Sequence, residues 1–190
     1  MGSKAWDDAE LLARCREDDR EAFGFLAERH APRLYSVALR LLGETAAAED
    51  AVQETLLAAF TALPSFRGEA RVSTWLHRIA VNKCHDWLRA RGRFEDGDPG
   101  EDEDGETPGT GSDHQTPEQV LSQKQLAGHL DEAIDGLAPL YREAFLLRHV
   151  EGMEYDEMVE VLGVSRDTLK MRVYKARTEL ARRLEEWLAR

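Results

Sequence analysis

Along most of this chain, apolar residues return every three or four positions, the period of a helix that buries one face. The rhythm predicts helices over Asp7–Arg16, Arg20–Leu42, Ala46–Leu63 and Ser73–Arg91 in the first half. In the second half it predicts Glu118–Leu137, Pro139–His149, Glu154–Leu162 and Arg166–Ala189. No sustained two-residue alternation occurs, so the class is all-α. Punctuation agrees: Gly43, Gly136, Gly152 and Gly163 fall at helix ends, and Pro139 sits in a first turn, where its missing N–H is harmless. The segment 95–119 breaks the pattern. It is rich in Asp, Glu, Gly, Pro and Thr and has no aromatic or large aliphatic residue, so it reads as a disordered acidic linker. Two small helical domains, 1–94 and 120–190, are expected on either side of it.

Within the second domain, Gly163, Val164 and Ser165 separate two helical patterns by a tight turn, the spacing of a helix-turn-helix. Ser165 is a good N-cap for the second helix. In that helix Leu169, Val173, Ala176, Leu180 and Leu184 form a packing stripe, leaving Arg166, Lys170, Arg172, Lys175 and Arg177 to project toward phosphates and base edges. In the first domain, the helix holding WLHRIAVNKCHDWLRARGR gathers Arg78, Asn82, His85, Arg89 and Arg93 in about one quadrant at roughly 100° per residue. Leu76, Ile79, Ala80, Cys84 and Trp87 take the other side. Phe66 and Trp75 stand nearby, able to stack on an unpaired base, and Phe66–Trp75 is a basic loop able to close over one. A third surface lies on AEDAVQETLLAAFTAL, where Val52, Leu56, Ala59, Phe60 and Leu63 face inward and Glu49, Asp50, Gln53 and Glu54 lie exposed near the start. Each surface also has a plain structural reading: a solvated basic face in two cases, and acids favoured by the helix dipole in the third.

A net charge of −12 over 190 residues argues against nucleic acid until its distribution is considered. Residues 95–125 carry −9, whereas Phe66–Phe94 and Ser165–Arg183 each carry +5. Two cationic patches therefore flank an acidic tether. Cys15 and Cys84 are too few and too distant in sequence for a disulfide framework. His77, Cys84 and His85 do not converge on a metal, and no catalytic constellation emerges, so neither enzyme activity nor a cofactor is expected. The longest apolar runs are far shorter than the roughly 18 residues that span a bilayer, and the N-terminus lacks an apolar signal core, so a cytoplasmic location is expected.

The order of these motifs resembles the two-domain extracytoplasmic-function (ECF) sigma factors: AEDAVQETLLAAF, then FRGEARVSTWLHRIAVNKCHDWLR, a tether, then EAFLLRHVEGMEYDEMVEVLGVSRDTLKMRVYKARTEL. The resemblance covers nearly the whole chain outside the tether. It implies a subunit that binds core RNA polymerase and directs promoter recognition, with domain 2 at 1–94 and domain 4 at 120–190. The acidic helix would dock on the large-subunit clamp through Glu49, Asp50, Gln53, Glu54, Leu57 and Phe60. The loop and its NxxxDxxR-like helix would bind and open the minus-ten element. That assigns roles to Phe66, Arg67, Arg71 and Ser73, and to Trp75, Arg78, Asn82, Asp86, Arg89 and Arg93. The minus-thirty-five element would be read in the major groove by Ser165, Arg166, Thr168, Leu169, Lys170 and Arg172, with Lys175 and Arg177 behind them. Arg148 would touch a phosphate. The resemblance further implies that the polymerase flap engages domain 4, that the linker threads the RNA exit path, and that an anti-sigma factor clamps the domains. Glu154, where the family often has Ser or Thr, and RDTLKMRV, in place of a GTVKSRL-like sequence, depart from the family pattern. Two other readings are a stand-alone helix-turn-helix regulator and a sigma-like decoy that binds an anti-sigma factor alone. The first has no need of a second basic helix with Asn82, and the second has no need of positive charge at both nucleic-acid faces.

Overall fold

Asp7 opens the first helix with a reciprocal cap: the Glu10 amide donates to Asp7 Oδ1 at 2.8 Å, and the Asp7 amide donates to Glu10 Oε2 at 3.0 Å. In this computed structural model, residues 6–68, 70–93 and 128–189 are described. Helix α1 spans Asp8–Arg16, α2 Arg20–Leu42, α3 Thr45–Ala62 and α4 Val72–Ala90. A 3₁₀ turn, Leu63–Ser65, follows α3. Helix α5 is seen over 128–135. Helix α6 covers Pro139–Phe145 and runs into a π-helical turn, Leu146–Val150. Helices α7, Tyr155–Leu162, and α8, Arg166–Leu188, complete the described chain.

These helices divide into two compact units. The first comprises 1–94 together with 156–163, and the second comprises 95–155 together with 164–190. In the first unit α2, α3 and α4 pack on one another and α1 packs on α2. Its core includes Leu11, Leu34, Val37, Ala48, Ala59, Val81 and Cys84, all within 1% of full burial. Alanines at 47, 48, 51 and 59 give α3 a shallow inner face, which lets its neighbours approach closely. In the second unit α8 packs along α6, and Leu140 and Ala144 of α6 are buried together with the α8 stripe of Leu169, Val173, Ala176 and Leu180; Leu146 and Leu147 of the following turn are buried too.

The helix expected over Pro139–His149 is present, but its last turn is widened. A π turn takes an extra residue per turn, and here it spans Leu146–Val150, with Leu146 and Leu147 both wholly buried. Pro139 lies in the first turn of α6, and the Thr168 amide donates to the Ser165 hydroxyl at 3.1 Å, so both local expectations hold. The expected linker, 95–119, and the first ten residues of the helix expected over Glu118–Leu137 lie outside the described residues.

Gly43 ends α2 in the left-handed region at φ 72°, its amide donating to Leu39 O at 2.8 Å, and a Cβ there would touch nothing within 4 Å. Gly43→Ala should therefore destabilise by about 1 kcal/mol through backbone strain alone. Gly24, in the interior of α2 with equal room and ordinary helical backbone, should respond in the opposite sense, Gly24→Ala stabilising by about 0.5–1 kcal/mol. Urea unfolding of the two variants measures both; a shared sign would refute the account.

Candidate nucleic-acid and partner interfaces

Helix α3 turns Glu49, Asp50, Gln53, Glu54 and Leu57 outward, with Leu57 68% exposed. Its inward side is Val52, Thr55, Ala59 and then Leu63. Phe60 was expected on that inward side and is not there: it is 43% exposed and meets Phe23 edge to face at 5.0 Å. The reason is its spacing, three residues beyond Leu57 and seven beyond Gln53, which keeps it on the outer face. Leu56 is half-buried. Because α3 begins at Thr45, Glu49 and Asp50 lie past the first turn, and stabilisation by the helix dipole, which fades within that turn, does not account for them. Glu54 is partly engaged, its carboxylate 3.0 Å from Lys83 Nζ. Beside Glu49 and Gln53 is a shallow recess of about 350 Å³ whose other wall is Ala31, Pro32 and Tyr35 of α2, residues the periodicity treated only as helix.

Helix α4 keeps Arg78, Asn82, Asp86 and Arg89 exposed and His85 half-exposed on one face, with Leu76, Ala80, Cys84 and Leu88 buried opposite. Ile79 and Trp87 are only half-buried; Arg91 lies over the Trp87 ring at 3.9 Å. Charge on this face is moderated locally. Arg89 Nη1 is 3.2 Å from Asp86, and Arg93 Nη1 is 3.7 Å from Glu44, which also takes two bonds from Arg91. Ahead of α4, Phe66 and Trp75 stack on each other, centroids 4.5 Å apart and planes 24° from parallel. The pair is half-exposed and forms a ready-made aromatic shelf. Arg67 and Arg71 are exposed on the loop, and Ser73 is half-exposed, its carbonyl accepting from the buried His77 ring at 2.8 Å. His77, Cys84 and His85 form no cluster, and no metal-holding group of three occurs among the described residues.

In the first two turns of the second helix-turn-helix helix, α8, the exposed residues are Arg166, Asp167, Lys170 and Met171, the last 43% exposed. Lys170 Nζ lies 3.0 Å from Asp167. Ser165 and Thr168 are bonded to each other through their hydroxyls at 2.8 Å, so both serve the start of the helix as well as its surface. Two expected readers are misplaced. Leu169 is fully buried and belongs to the core. Arg172 does not project: it is 7% exposed and its Nη1 lies 3.4 Å from Glu143 Oε1 on α6, itself 1% exposed. Its position three residues after Leu169 and four before Ala176 puts it on the packing stripe. Lys175 and Arg177 are half-exposed, Lys175 Nζ lying 5.9 Å from the Tyr141 ring centroid. Arg148 closes the turn after α6 by donating to Met153 O at 2.6 Å, pairing with Glu154 at 3.2 Å and lying over Tyr155. Partial burial, then the charges of Arg177 and Arg148, push the His149 imidazole below its ordinary value.

Residues 26–94 match the family described as Sigma-70 region 2, and residues 128–180 match Sigma-70, region 4. The ECF RNA polymerase sigma-E factor of Haemophilus influenzae is 30% identical over 94% of this chain and 95% of its own. The protein of the same name from Escherichia coli K12 is 30% identical over 99% of this chain and all of its own. Among solved structures, CnrH in complex with the cytosolic domain of CnrY matches with a TM-score of 0.65 at 26% identity, covering 93% of this chain and 96% of the other. The sigma factor RpoE in complex with the anti-sigma factor NepR from Bartonella quintana matches at 0.63 and 26%, covering 86% and 96%.

A buried ion pair makes a distinctive double-mutant signature. Arg172→Ala should destabilise by about 3–5 kcal/mol because the buried Glu143 carboxylate loses the charge it meets at 3.4 Å, whereas Glu143→Leu combined with Arg172→Met should recover most of that loss. Urea unfolding of the full chain reads both, and a near-neutral Arg172→Ala would return that arginine to the surface.

Proposed function

The chain belongs to the ECF RNA polymerase sigma-factor family, and from that membership we propose how its exposed faces divide promoter recognition and opening. The observation that carries this reading is the presence of sigma-70 regions 2 and 4 in order along one chain, each with an exposed basic face. The protein directs transcription initiation as a dissociable polymerase subunit and performs no chemistry of its own; opening of the duplex is driven by binding energy. It works in the cytoplasm, where polymerase and promoter are, and no described helix is long and apolar enough to cross a membrane.

Residues 1–94 hold the polymerase and the minus-ten element. The outward side of α3, Glu49, Asp50, Gln53, Glu54, Leu57 and Phe60, meets the large-subunit clamp, with the Pro32 and Tyr35 recess extending the contact. Acidic groups around an exposed leucine and phenylalanine fit a basic amphipathic partner. The loop and α4 bind the non-template strand: Arg67, Arg71, Arg78 and Arg89 serve phosphates, Asn82 and Ser73 reach base edges, and the Phe66–Trp75 shelf receives a base face. Arg93 extends that basic face, and the carboxylates of Asp86 and Glu44 trim its charge.

Residues 120–190 read the minus-thirty-five element from the major groove. Arg166, Lys170 and Met171 present the reading surface, Thr168 and Ser165 stand at the helix start, and Lys175, Arg177 and Arg148 serve phosphates. Arg172 and Leu169 support this surface from within. Residues 95–119 tether the two parts, their negative charge suited to the polymerase channel that normally holds RNA. The similar sigma factor RpoE has been solved with the anti-sigma factor NepR, and the same class of partner, binding both units, is proposed to hold this protein inactive.

Two outcomes test the division. With core polymerase, the purified chain should open a cognate promoter, seen as unpaired thymines around the minus-ten element; failure to bind core polymerase sinks the reading. Asn82→Ala should leave duplex binding intact and slow opening, while Arg166→Ala should weaken minus-thirty-five binding by roughly 1–3 kcal/mol if it holds a base bidentately. Equal effects of both changes on both steps would contradict the assignment.

A further inference from the structure

Helix α1 lies ahead of the residues matched to sigma-70 region 2, which begin at 26. Its last residue reaches the loop that leads into α4. Arg16 Nη2 donates to the Phe66 carbonyl at 2.9 Å. The same nitrogen would lie 3.7 Å from a Cβ built at Gly68, so the guanidinium runs alongside the left-handed turn at Gly68, φ 79°. Phe66 is held on two further sides, by its amide bond to Leu63 O at 3.1 Å and by its stack on Trp75. A loop that changes direction at a left-handed glycine has few internal bonds to keep its shape, and a charge-assisted bond from a rigid helix supplies one from outside.

Between α1 and this loop is a recess of about 450 Å³, lined by Asp8, Leu12, Arg16, Arg67, Arg71 and Ser73 among others. That volume falls in the range of about 300–1,000 Å³ for small-molecule sites. The Asp8 carboxylate is already paired, to Arg29 at 2.6 Å and to the His30 ring at 2.9 Å. Arg16 and Arg67, with Arg71, whose Nη1 lies 3.4 Å from Glu157 Oε1, therefore give the walls their cationic character, with Leu12 and Val72 as apolar surface and the Ser73 hydroxyl able to meet a base edge. Phosphate, apolar ring face and polar ring edge are the three parts of one nucleotide.

We propose that Arg16 is a positioning residue for strand opening: it holds Phe66–Gly68, and with them the Phe66–Trp75 shelf, in the shape that admits a single extruded non-template nucleotide against α1. This rests on the promoter-opening reading above. It makes α1, outside the matched region, a wall of the recognition site and a determinant of which base is accepted at one position.

The experiment uses full-length protein assembled with core polymerase and a pool of single-stranded DNA randomised over six positions, the bound fraction being sequenced. Arg16→Ala should lower base preference at one position about tenfold, the loss expected for one charge-assisted bond. Preference elsewhere, affinity for core polymerase and the thermal midpoint should stay as in the parent. Arg16→Lys, which can still donate to the Phe66 carbonyl, should restore most of the preference, and Gly68→Ala should flatten the same position by disturbing the turn. An unchanged profile in Arg16→Ala, or a uniform loss at all positions with a lowered thermal midpoint, overturns the proposal while leaving the sigma reading intact. A parent assembly that selects no sequence overturns both.

Discussion

The reading face of α8 depends on a pair of charges held almost wholly out of solvent. Arg172 and Glu143 are 7% and 1% exposed, and each would be expensive to bury alone. Their meeting at 3.4 Å ties the rotation of α8 about its own axis to α6. A purely apolar stripe tolerates some rotation, since leucine fits leucine in several ways. An ion pair in a low-dielectric interior does not, because a small turn of the helix strands both charges. With that rotation fixed, Arg166, Lys170 and Met171 are directed outward together. A buried pair of this kind contributes little net stability compared with well-packed apolar residues, but it specifies one arrangement of the helices.

In the first unit the same role falls to close packing. Alanines on α3 let α2 and α4 approach, and Cys84 fills the inner side of α4 without a polar demand. Helix α4 then shows a consistent outer face over about three turns, from Arg78 to Arg89. The loop before it is set by contacts from three directions, the 3₁₀ turn behind it, Trp75 beside it and Arg16 across from it. Rigid positioning of a loop that must catch a transient single strand reduces the ordering entropy lost at the moment of binding.

Helix number and type were legible because the apolar period is nearly unbroken, and the two basic faces were legible because their charges share a helical side. What escaped was polar burial. Arg172 falls at steps of three and four from Leu169 and Ala176, and Glu143 falls likewise between Leu140 and Leu147; two opposite charges on two inward stripes were a readable sign of pairing, hidden by treating every arginine as a surface group. Thr55 is similar: it holds the inward position because its hydroxyl donates to Ala51 O at 2.6 Å. Phe60 went astray in the reverse sense, its apolar type outweighing its register with Leu57 and Gln53. The widened turn at Leu146–Val150 and the reach of Arg16 to residue 66 left no local mark, because each depends on residues distant in the chain or on a backbone choice with no sequence signature.

The outer side of α3, with Leu57 at 68% and Phe60 at 43% exposure beside a recess at Pro32, leaves oily surface in water whenever this chain is away from its assembly. Identical copies carrying such a patch would tend to find one another. Each copy also carries a net charge of −12, with acidic groups bordering the patch itself, so two copies approach against mutual repulsion. The same acidity that opposed a DNA-binding reading thus acts as a colloidal safeguard: it disperses the free protein, while a partner of opposite sign meets no such barrier.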